Sequence, residues 1–189
     1  MKIVTLAQPT EEPVSLPEAK LHLRVDHDDE DVSIDGLITA AREWFEGEIW
    51  QTLVTTTYKY VLDCFPDERQ IELPRGPLQS VTSVIYIDED GNSATFAGSN
   101  YIASTAANPG TITLKSAASW PSVRLQEVDG VEITYVAGDG DAAAVRRMDK
   151  QAILLLVGHW YENREAATER LIRDIPLAVE SIVRLRAIR

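Results

Sequence analysis

Apolar residues recur at two different periods along this chain, and the change of period divides it into three parts. Between residues 32 and 49 they follow the three- and four-residue spacing of one helix face. The residues on this face are Val32, Leu37, Ile38, Ala41, Trp44, Phe45 and Ile49. A shorter helix over 15–25 precedes it, because Ser15 and Glu18 form an S-x-x-E capping box with Pro17 in the first turn.

From residue 53 the pattern becomes that of β-strands. The segment 53–63, LVTTTYKYVLD, is rich in β-branched and aromatic residues, and 71–78 is a short strand closed by Pro74, Gly76 and Pro77. Residues 80–96 alternate around an Asp90-Gly91-Asn92 turn, which predicts a hairpin. Short strands over 101–103, 111–114 and 131–136 complete a predicted antiparallel β unit.

After Gly140 the helical period returns. It predicts a long helix over 148–161, a break near 163–167, and a last helix from Pro176 with Val179, Ile182, Val183 and Leu185 on one side. Strands and helices are segregated rather than alternating, so the sequence predicts the α+β class. The predicted helical core consists of two N-terminal helices (1–52) and two C-terminal helices (138–189), and a small antiparallel β unit (53–137) is inserted between them.

Charge narrows the possible functions. The 189 residues include 18 Lys and Arg against 30 Asp and Glu, a formal net charge of −12. This balance disfavours a surface that grips nucleic acid, because phosphate binding needs clustered cations. It is compatible with a wall that DNA slides past, since acidic groups repel the duplex. No membrane segment is expected, because the longest apolar run, 152–158, is too short to span a bilayer.

Gly138-x-Gly140-x-x-Ala143 stands between a strand and a helix, as in a dinucleotide-binding turn. Such a turn belongs at the start of a βαβ unit, but no strand is predicted after this helix. Asp139 and Asp141 would also repel a pyrophosphate. A structural turn is therefore favoured, with Asp141 as the cap of the next helix.

The remaining candidates for chemistry are isolated. The run 26–31, DHDDED, lacks the glycine of an EF-hand loop and is interpreted as an acidic helix start. His159 and Glu162 lie one helical turn apart but have no third ligand at any characteristic spacing. Cys64 is a single cysteine without a nearby base, which excludes an intrachain disulfide. We therefore predict no catalytic, cofactor-binding or metal-ligating residue.

Four segments in this order resemble the head–tail connector (adaptor) proteins of long-tailed bacteriophages, prophages and gene-transfer particles. They are PVSLPEAKLHLRVDHDDED, LITAAREWFEGEIWQTLVTTTY, IELPRGPLQSVTSVIYID and YVAGDGDAAAVRRMDKQAILLLVGHWYENRE. The chain departs from the family pattern at Arg146, where members often carry proline.

The resemblance implies a ring of about twelve copies beneath the portal, in the neck of a virion assembled in the bacterial host cytoplasm. The ring would join the DNA-filled head to the tail or to a head-completion protein, pass double-stranded DNA without binding it specifically, and perform no catalysis. It also suggests two sets of site residues. Portal docking is assigned to Pro176, Arg184, Leu185, Arg186, Ile188 and Arg189, and channel lining or subunit contact to Asp28, Asp29, Glu30 and Asp31.

Alternatives remain open at this point. The arginines at positions 184, 186 and 189 are equally explained by a helix end that complements its own dipole. A tail-terminator or tail-completion protein that binds tube subunits is a second possible function. A small hydrolase or nucleotide-binding enzyme is a third.

Overall fold

A computed structural model describes residues 2–164 and 176–187. The chain forms two compact units, each made of separate stretches of sequence. The β unit consists of Met1–Pro9 and Thr55–Asp139, and the helical unit of Thr10–Val54 and Gly140–Arg189. The predicted α+β class is confirmed.

The described part of the helical unit contains four α-helices: α1 (Leu16–Leu23), α2 (Asp31–Ile49), α3 (Arg147–Glu162) and α4 (Leu177–Ala187). The predicted capping box opens α1, since Ser15 Oγ accepts from the Glu18 N–H and the Glu18 carboxylate accepts from the Ser15 N–H (2.8 Å). The inner faces of α2, α3 and α4 are apolar and fully or almost fully buried. They contribute Ile34, Ile38, Ala41, Phe45, Ile49, Ala152, Ile153, Leu156, Val157 and Val179 to one core.

Eight strands build the β unit in two antiparallel sheets. The strands are β1 (Lys2–Ala7), β2 (Thr56–Leu62), β3 (Gln70–Leu73), β4 (Leu78–Ile87), β5 (Ser93–Thr95), β6 (Tyr101–Ser104), β7 (Gly110–Leu114) and β8 (Val131–Ala137). Their orders are β1-β2-β8-β4-β5 and β3-β7-β6. Alternate residues of β8 are buried, as expected of a central strand, and Tyr135 at its middle donates a hydrogen bond to the Pro74 carbonyl (2.7 Å).

The observed division differs from the sequence-based one at its start. Residues 2–7 pair with β2 and belong to the β unit, whereas the sequence pattern placed 1–52 with the helices. β1 is six residues long and almost entirely exposed, so it lacks the inside–outside alternation that reveals a strand. β1 ends at Ala7, and after two further residues the chain enters the helical unit at Thr10.

The Gly-Asp turn also differs in detail. Gly138 and Gly140 have φ of 130° and 139°, a region that favours glycine, so the expected structural turn is present. Asp141 does not cap α3, because that helix begins at Arg147 with Arg146 as its N-cap residue. Instead Asp141 Oδ1 accepts from the Ala144 N–H (2.9 Å) and closes a separate turn.

Candidate assembly surfaces

Lys20 neutralises part of the acidic run that precedes α2. Its Nζ donates to Asp28 Oδ1 (2.6 Å) and to Asp31 Oδ1 (2.7 Å). These bonds raise the pKa of Lys20, and the ammonium lowers the pKa of Asp28. Asp31 is therefore engaged within the subunit, in a link between α1 and the start of α2, while the Asp28 side chain remains 89% exposed.

Glu30 connects the start of α2 to the end of α3. Arg164 donates to Glu30 Oε1 (2.6 Å), and the Tyr161 hydroxyl donates to Glu30 Oε2. The Arg164 guanidinium also lies over the Tyr161 ring, 4.1 Å from its centroid. The bond from Arg164 and then the bond from Tyr161 lower the pKa of Glu30 to about 2. Glu30 is thus a structural residue that holds the start of α2 to the C-terminal end of α3.

Asp29 differs from the other three acids because its side chain is 94% exposed and its one ion-pair neighbour among the described residues is His27, at 3.8 Å. The two helices on either side of this acidic run each expose an apolar side chain, Leu21 on α1 (81% exposed) and Val32 on α2 (90% exposed). The acids predicted to line a channel or contact a subunit therefore divide. Asp28 and Asp29 are exposed to solvent, although Asp28 also binds Lys20, whereas Glu30 and Asp31 are less exposed and are held by contacts within the subunit.

A buried ion pair holds α4 on α3. The Arg186 guanidinium lies 3.2 Å from Asp149 Oδ2, and the two side chains are only 7% and 1% exposed. Val179 on the same face of α4 is fully buried. Arg186 is thus an internal anchor of the helical unit.

The other predicted docking residues have different surroundings. Arg184 and Leu185 are exposed, by 79% and 59% respectively, and Pro176 is half-buried. Among the described residues, Arg184 pairs with Glu180 one turn earlier, at 3.5 Å, which is a weak exposed pair. Ile188 and Arg189 lie outside the described residues. The surface of α4 that faces solvent therefore consists of Leu177, Ala178, Ser181, Arg184 and Leu185.

A second buried ionic cluster was missed from the sequence. Arg42 donates to Glu12 (2.7 Å) and to Glu46 (3.0 Å), and Glu46 also accepts from the Leu53 N–H (2.8 Å). The four-residue spacing of Arg42 and Glu46 on a helix was an available signal for half of this cluster. The role of this cluster is structural, because it connects the segments before and after α2, at Glu12 and Leu53, to side chains of the helix.

The Gly-Asp turn does not offer a phosphate cradle. The Ala142 N–H donates to Glu11 Oε1 (2.9 Å) and the Ala144 N–H donates to Asp141. Carboxylates of the protein itself therefore occupy the donors that a phosphate would need.

The other chemical candidates are also dispersed. Within residues 2–164 and 176–187, no three His, Cys, Asp or Glu side chains come together as a metal site. Cys64 is exposed at an open groove of about 440 Å³, and the residues that line this groove include no histidine, lysine or arginine to activate a thiol. In the part of the chain that is described, no helix is long and apolar enough to cross a membrane.

Comparison with solved structures shows the same fold in the necks of gene transfer agent (GTA) particles. The neck of an empty GTA particle, computed with C6 symmetry, contains a chain with a TM-score of 0.81 and 21% identity, and the match covers 98% of this chain and 95% of that one. A chain of the native GTA virion matches with a TM-score of 0.80, and one of the native neck computed with C12 symmetry with 0.77. Both are 21% identical, over 98% of this chain and 94% of theirs. No curated protein sequence matches the chain.

A family model describes the sequence directly. Residues 13–107 match the phage gp6-like head-tail connector proteins. The match includes α1, α2 and strands β2 to β6, and it spans half of the chain. The chain therefore belongs to the phage gp6-like head–tail connector family, and its role is that of a structural connector between head and tail.

Proposed function

We propose that this protein forms a ring of about twelve copies beneath the portal of a phage or phage-like particle, where it joins the head to the tail. The observation that carries the proposal is the family match together with a fold shared over 98% of the chain with neck proteins of GTA particles. Those necks were computed with C6 and C12 symmetry, which a ring of twelve satisfies.

The charge of the chain suits passage of DNA. With a net charge of −12, a ring of twelve identical copies carries a strong negative field. Such a field repels phosphate groups, and DNA then moves through without being held. Of the four acids at 28–31, Asp29 and Asp28 have the most exposed side chains, and they contribute to this field whether they line the channel or lie at a subunit contact.

The exposed face of α4 is the proposed portal-docking surface, with Leu177, Arg184 and Leu185 as its main contacts. Exposed apolar side chains beside a cation are typical of an interface that is covered in the assembly. Arg186 contributes indirectly, since its ion pair with Asp149 fixes the orientation of α4. No residue is assigned to catalysis, a cofactor or a metal. On the tail side, the proposed partner is a tail protein or a head-completion protein.

Native mass spectrometry of the protein mixed with its portal tests this function. The proposal predicts a complex in which many copies join one portal oligomer. A protein that stays monomeric and never joins the portal would overturn it. A protein that binds tail-tube subunits and ignores the portal would favour the tail-terminator alternative.

Docking through α4 has its own test, and the structure determines which variant is informative. Truncation after Arg184 would remove Arg186 and so release α4 from α3. A loss of portal attachment in that variant could then come from unfolding of α4 as well as from lost contacts with the portal. The double substitution R184E/L185D changes only exposed side chains. We expect an unchanged melting temperature and weaker portal attachment, and attachment at the wild-type level would argue against α4 as the docking surface.

A further inference from the structure

Two adjacent arginines are exposed at the start of α3. Arg146 and Arg147 are exposed, and neither forms an ion pair with any residue in 2–164 or 176–187. Met148 beside them is 52% exposed. Asp149 does not compensate this charge, because it is buried against Arg186. We call Arg146, Arg147 and Met148 the basic end of the helical unit.

The opposite end of α3 presents an acidic surface. Asp26, Asp28 and Asp29 are exposed there, and Leu21 and Val32 are apolar residues exposed on the helices before and after them. We call these five residues the acidic end. The cations Lys20, Arg24 and Arg164 reduce its charge without cancelling it, since Glu30, Asp31 and the three exposed aspartates outnumber them.

The structure fixes the separation of the two ends. Glu30, within the acidic run, contacts Tyr161 and Arg164 at the C-terminal end of α3, whereas the basic end lies at its first residues. A helix of 16 residues is about 24 Å long at 1.5 Å per residue. The two ends therefore cannot meet within one subunit.

We propose that the acidic end of each copy packs against the basic end of the next copy around the ring. A closed ring is built from a heterologous contact, which requires two different and complementary surfaces at separate places on each subunit. The two ends meet this requirement in charge, since one carries arginines and the other aspartates. They also meet it in apolar content, since Met148 is exposed at one end and Leu21 and Val32 at the other. The inference rests on the proposed ring and names its subunit interface.

Charge reversal provides a first test. The variants R146E/R147E and D26K/D29K each place like charges across every subunit contact, and the combination of all four substitutions restores opposite charges. We expect both double variants to lose the ring and the quadruple variant to recover it. The matched control K115E/R124E changes the same charge at exposed sites of the β unit and should assemble like the wild type. Rings that form equally well in both double variants would overturn the interface.

Disulfide cross-linking tests the contact itself. In a C64S background, D29C/R147C places one cysteine at each end, so a bond between them joins two copies. Oxidation of the assembled protein should give a ladder of multimers on a non-reducing gel, whereas D29C/K115C should give none. If the C64S protein does not assemble on the portal, the proposed ring itself is contradicted. If it assembles but D29C/R147C gives no ladder, the ring stands and this interface is refuted.

Discussion

The ion pair between Arg186 and Asp149 should control whether α4 stays on the helical unit. Substituting Arg186 by Met keeps much of the side-chain volume but leaves the Asp149 carboxylate, which is 1% exposed, without its guanidinium. Breaking a buried ion pair from one side costs about 3–5 kcal/mol, because a charge remains in a place that water does not reach.

In this variant α4 can detach from α3, which exposes the Asp149 carboxylate to water and removes part of this cost. Val179 is the fully buried apolar anchor of α4, and complete burial of a valine contributes about 1.5–3 kcal/mol. The loss exceeds or matches the contribution of Val179, and Ile182 and Val183 add partial burial, so R186M should make α4 open locally more often while the rest of the unit stays folded. A change of about 3 kcal/mol corresponds to roughly a hundredfold more frequent opening.

Hydrogen–deuterium exchange of residues 177–187 measures this opening directly. We expect faster exchange there in R186M and little change in α2. The matched control R184M alters an arginine that is 79% exposed on the same helix, and it should change stability by less than about 0.5 kcal/mol. D149L/R186M removes both charges and should recover most of the protection. Wild-type exchange in R186M would refute the anchoring role of the pair.

Two further predictions concern acid stability and backbone packing. The pKa of Glu30 is lowered from 4.5 to about 2, so the contribution of this carboxylate to stability is complete above about pH 4.5 and is lost as the pH falls to 2. The denaturation midpoints of wild type and E30Q should therefore differ at pH 7 and converge by pH 2. A difference that stays constant with pH would contradict the stabilising contact between Glu30 and Arg164. A Cβ on Gly110 would lie 2.2 Å from Leu78 Cβ, so G110A should destabilise the β unit by about 1–3 kcal/mol. A Cβ on Gly36, inside α2, would meet no atom within 4 Å, so G36A should stabilise the protein by about 0.5–1 kcal/mol. Thermal melts that fail to separate these two variants would contradict the packing.

Local patterns predicted most of the elements. The capping box at Ser15, the apolar face of α2 and the Asp90-Gly91-Asn92 turn are each encoded within a few residues, and each appears where it was expected. β1 was missed because its burial gives no alternating pattern. Its assignment depends on the register with β2, which is contributed by residues fifty or more positions away.

The contacts of the charged residues could not be predicted in the same way. Glu30 and Arg164 are 134 positions apart in sequence, and their pairing follows from the packing of α2 against α3. Arg186 carries the same charge as Arg184, yet one is buried and the other exposed because successive helix positions face different directions. The sequence therefore indicated which residues are charged at each surface, whereas the fold determines which of them remain available to a partner.

Cryo-electron microscopy of the protein assembled with its portal tests the central claim most directly. The account predicts a closed ring of about twelve copies on the portal, with an open channel for DNA and the exposed face of α4 directed at the portal. Single copies scattered on the portal, or no bound copies at all, would contradict it.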